Sequence, residues 1–322
     1  MKKVGITGPP GSGKSTFWRA VTGGGTKGDV AAVPVPDPRL DRLVEMHVSR
    51  SRVPAQIEVV DIHETARTAS AATARLREMD AIVVVLPAFG GLDATKALSA
   101  LTDDLILADM APVDTRLQRA RKDPAAKKEI PSLESAAAIL EDGRFLREGT
   151  WEKVDHEVFS PLALITLKPL IVVWNADEEG LSMPAPESPF DSFVASASLE
   201  AEVAGVDPEE ARSLLAAYGV EEPVLGKVIQ SVYRSLDLIT FFTTSDKESR
   251  AWEVRRGATA PEAAGAIHSD LQRGFIRAEV ISYKDLVEAG SWDAAKAKSA
   301  IRLEGKEYIF QEEDVTHFRF AV

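Results

Sequence analysis

Residues 8–16 read GPPGSGKST and complete the pattern GxxxxGK[ST]. A short strand-like run, KKVGIT at residues 2–7, precedes this stretch, and a segment with helical periodicity follows it. In that context the pattern forms a phosphate-binding loop, because glycines let backbone N–H groups turn inward around a phosphate. The amino end of the following helix adds its positive dipole end. The sequence therefore predicts a nucleotide-binding P-loop domain.

Each polar position of this loop has a predicted role toward a nucleotide. Lys14 is expected to reach the β- and γ-phosphate oxygens, and the Ser15 hydroxyl is expected to bind Mg²⁺. Thr16 is expected to hydrogen-bond the α-phosphate. The alternative, a glycine turn without a ligand, requires motif, context and position to agree by chance. The predicted binding residues of the loop are Gly8, Pro9, Pro10, Gly11, Ser12, Gly13, Lys14, Ser15 and Thr16.

Short runs rich in valine and isoleucine alternate with helical stretches along the first two thirds of the chain. These runs are KKVGIT (2–7), QIEVVDI (56–62), AIVVVL (81–86), KPLIVVW (168–174) and SFVASAS (192–198). Such alternation predicts an α/β fold with a mostly parallel sheet and helices on both faces. Asp61 ends the second run and is a candidate second-shell Mg²⁺ carboxylate at the carboxyl end of a strand.

The segment at residues 103–167 has helical periodicity and no strand signal, which predicts an inserted helical arm. Within it, RLQRARKDPAAKK (116–128) carries six basic residues against one acidic, and Asp123-Pro124 predicts a turn between two helices. A solvated hairpin tip and an arm that contacts RNA phosphates both remain open. The basic residues are Arg116, Arg119, Arg121, Lys122, Lys127 and Lys128.

From residue 238 the pattern changes to short strands around one or two helices, which predicts a separate α+β domain. We therefore expect a P-loop G domain at residues 1–102 and 168–235, the arm at 103–167 and the terminal domain at 236–322. The terminal domain has a second group of basic residues, for which a local RNA contact and simple surface solubility are equally open. These are Arg255, Arg256, Arg273 and Arg277.

Composition narrows the classes of function. The 322 residues contain no cysteine, which excludes disulfides and thiolate metal sites and suits a reducing cytoplasm. The formal net charge of -12 argues against general coating of nucleic acid, so any RNA contact must come from a local patch. No apolar run approaches the length of a membrane span, and the amino terminus lacks the apolar region of a signal peptide. We expect a cytoplasmic monomer without membrane contact.

Two further segments predict the base-binding loops of a Ras-like GTPase. Asn175 and Glu178 follow the strand KPLIVVW where a guanine-reading protein has Asn-Lys-x-Asp, and Ser196, Ala197 and Ser198 stand where a base-contacting Ser-Ala loop is placed. An aspartate there accepts hydrogen bonds from two guanine donors that adenine lacks at those positions. Glu178 is one methylene longer and would misplace that fork, which predicts weaker GTP preference. Asn175 either ties the base loop to the phosphate loop or meets the base.

Several strings together resemble the YchF group of Obg-like ATPases. They are VPVPDPRLDRL (33–43), the Asn-x-x-Glu motif, FFTTSDKESRAW (241–252), RRGATAPEAAGAIHSDLQRGFIRAEVI (255–281), EAGSWDAAK (288–296) and VTHFRFAV (315–322). The resemblance spans nearly the whole chain. It implies a G domain, an inserted coiled-coil-like arm and a carboxyl-terminal β-grasp domain of the TGS type. It also implies ATP bound as well as or better than GTP, with Mg²⁺, and a role linked to translation.

The chain departs from this family where the γ-phosphate is sensed. The family continues Asp-x-x-Gly after the second strand and then has a glycine-rich switch, whereas this chain has Glu64 and no glycine-rich stretch. A carboxylate beside a triphosphate is repulsive, so hydrolysis and switching are expected to be weak or lost. Thr26 lies one residue away from the position of the family's Mg²⁺-binding threonine. His63 is a candidate general base or a packing residue.

These observations leave three functions for comparison. The first is a YchF-like protein that binds ATP or GTP with Mg²⁺ and hydrolyses it slowly. The second is a scaffold that binds nucleotide without hydrolysis and engages partners through the arm and terminal domain. The third, a small-molecule kinase, lacks any identifiable acceptor pocket, and the TGS-like end disfavours it.

Overall fold

The computed structural model describes residues 1–24, 28–63, 69–91, 93–182 and 184–321. The strands are β1 Lys3–Thr7, β2 Val30–Pro34, β3 Ser51–Val53, β4 Gln56–Asp61, β5 Ala81–Ala88, β6 Leu170–Ala176, β7 Asp191–Ala195, β8 Leu238–Thr244, β9 Glu248–Arg255, β10 Phe275–Ser282, β11 Arg302–Glu304 and β12 Asp314–Phe320. All five runs predicted as strands contain a strand. In the run at 192–198, which is expected to hold a strand and a loop, β7 ends at Ala195 and α7 begins at Ala197.

The helices are α1 Lys14–Val21, α2 Pro38–His47, α3 Ala69–Arg77, α4 Ala94–Lys122, α5 Ile130–Glu141, α6 Lys153–Phe159, α7 Ala197–Val203, α8 Pro208–Ala216, α9 Val224–Ser235, α10 Ala260–Ile267, α11 Ser269–Arg273, α12 Tyr283–Ala289 and α13 Trp292–Ala297. Short 3₁₀ turns add Pro124–Glu129, Leu146–Glu148, Ser160–Leu162 and Glu179–Ser182. Within the described ranges, no helix has both the length and the apolarity needed to cross a bilayer.

The chain forms two compact units. The first comprises residues 1–33 and 58–232, and the second comprises residues 34–57 and 233–322. The first unit is built on a six-stranded sheet in the order β2-β4-β1-β5-β6-β7, in which β1 pairs parallel with both β4 and β5. Parallel pairing continues from β5 through β6 to β7. The carboxyl ends of these strands therefore meet at one edge of the sheet, where the phosphate loop begins.

The central strands of this sheet are buried on both faces. Every residue of β6 and residues 81–87 of β5 are buried, which is why both strands read as continuous apolar runs. Helices cover them, and Trp174, Val172 and Ile82 belong to the same core cluster as Val113 and Leu133 of the insertion. The helical insertion is thus joined to the sheet by one apolar core.

The segment expected to be an inserted arm contains a helical hairpin of α4 and α5, and α4 begins at Ala94, before the expected boundary at residue 103. The long helix α4 ends at Lys122, and the Asp123 side chain accepts a hydrogen bond from the backbone N–H of Ala125 at 2.9 Å. Proline at position 124 then starts a 3₁₀ turn that leads into α5. The turn predicted at Asp123-Pro124 is present because an aspartate cap followed by proline ends one helix and starts the next.

The second unit is an α+β domain with its own six-stranded sheet, in the order β11-β10-β12-β8-β9-β3. Its core contains Phe241, Phe275 and Phe310. Strand β3 comes from residues 51–53 and pairs parallel with β9, Ser51 opposite Glu248. Residues 34–57, which the sequence pattern places within the G domain, therefore group with residues 233–322. The functional division into G domain, arm and TGS-like domain stays a prediction.

Candidate nucleotide-binding site

The phosphate loop lies between β1 and α1, as its motif predicts. Gly13 has φ +84°, and a Cβ there would collide with the Asn175 side chain. A Cβ at Gly8 would collide with the carbonyl oxygen of Val85 in the neighbouring strand. Only glycine fits either position, because one needs a left-handed backbone and both lack space for a side chain. The motif glycines thus bring the backbone close to β5 and β6.

Backbone hydrogen bonds close this loop and start the helix. The N–H of Ser12 donates to the Pro9 carbonyl at 3.1 Å, and the N–H of Phe17 donates to the Gly13 carbonyl at 2.9 Å. At the start of α1 the N–H of Thr16 donates to the Gly13 carbonyl at 3.0 Å, which leaves the N–H groups of Lys14 and Ser15 for an anion. Ser15 is exposed at this helix end. The arrangement fits the triphosphate chain that the motif predicts.

Asn175 ties the phosphate loop to the loop after β7. Its Nδ2 donates to the Ser12 carbonyl at 2.8 Å, and its Oδ1 accepts from the Ala197 N–H at 2.8 Å. The two partners fix the amide orientation, since a carbonyl only accepts and an N–H only donates. Asn175 is buried, so both polar ends of its side chain are satisfied inside the protein. The sequence left two roles open for Asn175, joining the two loops or contacting the base, and in the structure its side chain joins the loops.

The other residues predicted near the base differ in exposure. Ser196 and Ala197 are buried, while Ser198 and Glu178 are exposed. Ser196 Oγ lies 3.0 Å from Ser198 Oγ. The Asn175 tie brings this serine loop to the phosphate loop, and Glu178 follows three residues after Asn175 on the loop that leaves β6.

Charged side chains meet where β4 ends beside the loop. Lys14 forms an ion pair with Asp61, and the two side chains are only 10% and 6% exposed. Lys14 Nζ lies 3.5 Å from His63 Nδ1, and His63 Nε2 lies 3.4 Å from Asp61 Oδ2. The predicted lysine, histidine and Mg²⁺ carboxylate are therefore adjacent. Asp29 Oδ1 also lies 3.5 Å from His63 Nε2, a neighbour that no sequence motif indicated.

A cavity of about 440 Å³ adjoins this site between α1 and α7. It is lined by Thr16, Arg19, Gly23, Gly24, Ser198, Ala201, Glu202 and Ala204. Arg19 donates to Thr16 Oγ1 at 3.4 Å. Sequence reasoning missed Arg19 and Glu202, since no motif includes them and only the packing of two helices joins them. Thr26 and Glu64, the two switch positions in question, lie outside the described residues.

The described residues offer no cluster of three or more histidine, aspartate or glutamate side chains that could hold a metal by itself. Protein-bound Mg²⁺ commonly takes one or two protein oxygens together with phosphate oxygens and water, so it does not need such a cluster. Ser15 of the loop and Asp61 beside it are the residues that would supply such oxygens to an ion bound with the nucleotide.

The basic residues of the arm divide into paired and unpaired sets. Arg116 donates twice to Glu129, at 2.7 Å each, and Arg121 donates to Glu134 at 2.8 Å. The remaining four are exposed and have no acidic partner in the part of the chain that is described. They are Arg119, Lys122, Lys127 and Lys128.

The basic residues of the terminal domain are similarly divided. Arg256 pairs with Asp237 at 3.1 Å, and Arg273 pairs with Asp270. Arg255 and Arg277 are exposed. His268, in the same region, accepts at Nδ1 from the Asp270 N–H at 3.1 Å and so caps α11 rather than binding a metal.

Comparison with known proteins agrees with this architecture. Residues 238–321 match the family model YchF-GTPase_C, described as "Protein of unknown function (DUF933)". The chain is 36% identical to the "Ribosome-binding ATPase YchF" of Haemophilus influenzae, covering 99% of both proteins. The chain belongs to the YchF family. The Bacillus subtilis YchF protein of the same name is 34% identical, and "Obg-like ATPase 1" of Oryza sativa subsp. indica is 32% identical. These matches cover 99% of this chain, and 99% and 92% of the relatives.

Solved structures confirm the predicted fold class. The YchF GTPase of Schizosaccharomyces pombe matches with a TM-score of 0.91 and 30% identity, over 99% of this chain and 97% of that one. A GTP-binding protein of Pyrococcus horikoshii matches with a TM-score of 0.60 and 18% identity over the full length of both, which supports the fold alone. The resemblance drawn from sequence strings to the YchF family is likewise confirmed.

Proposed function

We propose that this chain binds a purine nucleotide with Mg²⁺ at the loop 8–16 and serves a ribosome-linked role in the cytoplasm. The observation that carries the proposal is the conformation of this loop, which places its lysine and serine at the amino end of α1. Gly13 keeps the backbone against Asn175, and Lys14 and Ser15 stand at the start of α1. The relatives named as ribosome-binding ATPases support the role, since they match over almost their whole length.

Nucleotide binding would exchange the partner of Lys14. The ammonium group pairs with Asp61 in the structure, and the motif assigns it to phosphate oxygens. On binding, Lys14 would turn to the phosphates, and the Asp61 carboxylate would be released to the hydration shell of Mg²⁺. Both side chains are mostly buried, where an unpaired charge is costly. The exchange avoids that cost, because Lys14 would face phosphate oxygens and Asp61 would face the hydrated Mg²⁺.

Adenine is the base that we propose. Asn175 uses both polar ends of its side chain in the tie between Ser12 and Ala197, so it contributes to placement rather than to reading the base. Glu178 is exposed and one methylene longer than the aspartate that reads guanine, which removes the main reason for GTP preference. ATP is therefore expected to bind at least as tightly as GTP.

Hydrolysis is proposed to be slow. Glu64 replaces the glycine that would approach the γ-phosphate, and His63 is the candidate base nearest the loop. His63 lies against Asp61 and Asp29, which would hold its ring beside the phosphates. A non-hydrolysing scaffold is the second candidate, favoured by the same replacement.

On the ribosome, the unpaired lysines at the hairpin tip, Lys122, Lys127 and Lys128, are proposed to contact RNA phosphates.

Calorimetry with ATP, ADP, GTP and GDP in the presence of Mg²⁺ tests the binding, on wild type and Lys14→Ala. Phosphate release is followed in the same samples, and Lys2→Ala provides a control lysine outside the loop. Adenine nucleotide binding that Lys14→Ala removes, with measurable release, is expected for a slow ATPase. Binding without release supports the scaffold, and an absence of binding to wild type would refute the proposal.

A further inference from the structure

A cleft of about 550 Å³ lies beside α4, and its lining shares no residue with the phosphate loop. Ala111 and Pro112 form one wall, and Pro161 and Leu162 form the other. Arg116 and Arg119 also line it. The cleft is thus mostly apolar, with guanidinium groups at one end.

One side chain of α3 holds both walls in place. Pro112 has no N–H, so the carbonyl of Ala108, four residues earlier, has no partner within the helix. The guanidinium of Arg77 supplies that partner, with NH2 donating to Ala108 O at 2.7 Å. Its NH1 donates to Ala163 O at 3.0 Å, immediately after the second wall. The buried carboxylate of Asp109 accepts from the same NH1 at 2.9 Å. The cleft is therefore built before any partner arrives, which lowers the entropy lost on binding.

The two arginines of the cleft differ in what they offer a partner. Arg116 is already engaged by both carboxylate oxygens of Glu129. Arg119 is exposed and has no acidic partner within the described ranges. Leu107 lies one helical turn before Ala111 and is 62% exposed, so it extends the apolar strip on the same face of α4. A free cation therefore stands at the end of an unfilled apolar strip.

We propose that this cleft binds a protein segment that carries an apolar side chain flanked by carboxylates. The apolar walls would cover the side chain, and Arg119 would pair with a carboxylate. The charge complementarity rests on Arg119, an exposed guanidinium with no acidic partner in the described part of the chain, because the net charge of -12 by itself repels an acidic segment. RNA fits less well, since the lining has no aromatic ring on which a base could stack and apolar walls give phosphates nothing. This proposal goes beyond nucleotide binding and does not depend on it.

A phage-displayed library of short random peptides tests the proposal. It is selected on the full-length protein and counter-selected on Ala111→Trp, which fills the cleft from an exposed position. Labelled peptides from the selection are then titrated by fluorescence anisotropy against wild type, Ala111→Trp and Arg119→Glu. Lys128→Glu is the matched charge control at the hairpin tip. Circular dichroism checks that each variant folds, and ATP calorimetry on the same samples reports the nucleotide site separately.

We expect peptides that combine acidic and large apolar residues. Their affinity should fall at least about tenfold in Ala111→Trp and in Arg119→Glu, as for a contact at the centre of an interface, and stay unchanged in Lys128→Glu. A selection that yields no peptide sensitive to Ala111→Trp would overturn the proposal. Peptides that lose as much affinity in Lys128→Glu would also overturn it, and so would a single-stranded RNA oligonucleotide that displaces them. Each of these outcomes would indicate a surface that binds anions in general.

Discussion

Replacing Asp109 with asparagine removes the charge of a fully buried carboxylate and keeps its shape. Oδ1 accepts from Arg77 NH1 at 2.9 Å, and Oδ2 accepts from both the N–H and the hydroxyl of Thr166, at 2.7 and 2.9 Å. An asparagine can keep its oxygen toward Thr166, but its NH₂ then faces the guanidinium, where two donors oppose each other. The variant should therefore lose one charge-assisted hydrogen bond, about 1.5–3 kcal/mol of unfolding free energy.

Asp109→Ala should have a larger effect, because it also leaves the N–H and hydroxyl of Thr166 without an acceptor. Breaking a buried ion pair from one side costs about 3–5 kcal/mol. Asp104→Asn on the same helix is the control, since Asp104 is exposed and such substitutions stay within about 0.5 kcal/mol. Arg77 retains its carbonyl partners in every variant, so the difference reports the carboxylate.

Hydrogen exchange measured by mass spectrometry across a urea series suits this test. The chain has two compact units, so one global unfolding transition is not assured, whereas peptides from residues 105–113 and 162–167 report the first unit alone. The expected order of protection is wild type equal to Asp104→Asn, then Asp109→Asn, then Asp109→Ala. Equal protection in Asp109→Asn and Asp104→Asn would refute the claim that this ion pair stabilises the base of the hairpin.

Three other perturbations test separate contacts. Gly13→Ala should weaken nucleotide binding at least about tenfold in calorimetry, because the new Cβ strains a left-handed backbone and displaces the Asn175 side chain; unchanged affinity would contradict the tie. Burial lowers the pKa of Lys168 from 10.5 to about 8, so the unfolded chain binds more protons in that range and stability should rise with pH there. Lys168→Met should remove this slope in urea titrations, and an unaltered slope would assign it elsewhere. Arg39→Ala should destabilise the second unit by about 0.5–1 kcal/mol, since Arg39 donates to the partly exposed Glu312 at 2.7 Å; unchanged exchange in residues 238–255 would count against it.

Local pattern was sufficient for much of the fold. The β-runs rich in valine and isoleucine were recognisable because a buried parallel strand needs apolar residues on both faces. The phosphate loop was recognisable because its glycines serve a backbone conformation that other residues resist. The turn at Asp123-Pro124 was visible for the same reason, since aspartate and proline determine the ends of helices through their own side chains.

The partners of polar side chains could not be predicted in this way. Arg77 contacts Asp109, and the Ala108 carbonyl that Pro112 leaves without a helical partner, only because α3 lies beside α4. No sequence pattern indicates that Arg77 and Asp109, which are far apart in the chain, are neighbours. Lys14 was expected to face phosphate, yet its contact with Asp61 depends on the register of β1 against β4, in which Ile6 lies opposite Asp61.

Local sequence pattern predicted the main strands of the first unit, the phosphate loop and the resemblance to the YchF family, because backbone propensity and periodicity act over a few residues. Contacts between distant parts of the chain place residues 34–57 with the carboxyl-terminal unit. Those contacts include the packing of α2 on β9 and the pairing of β3 with β9, and a three-residue strand has too little pattern to select a partner almost 200 positions away. The use of Asn175 as a tie was decided in the same way, since its two hydrogen bonds require loops from three parts of the chain to meet at one sheet edge.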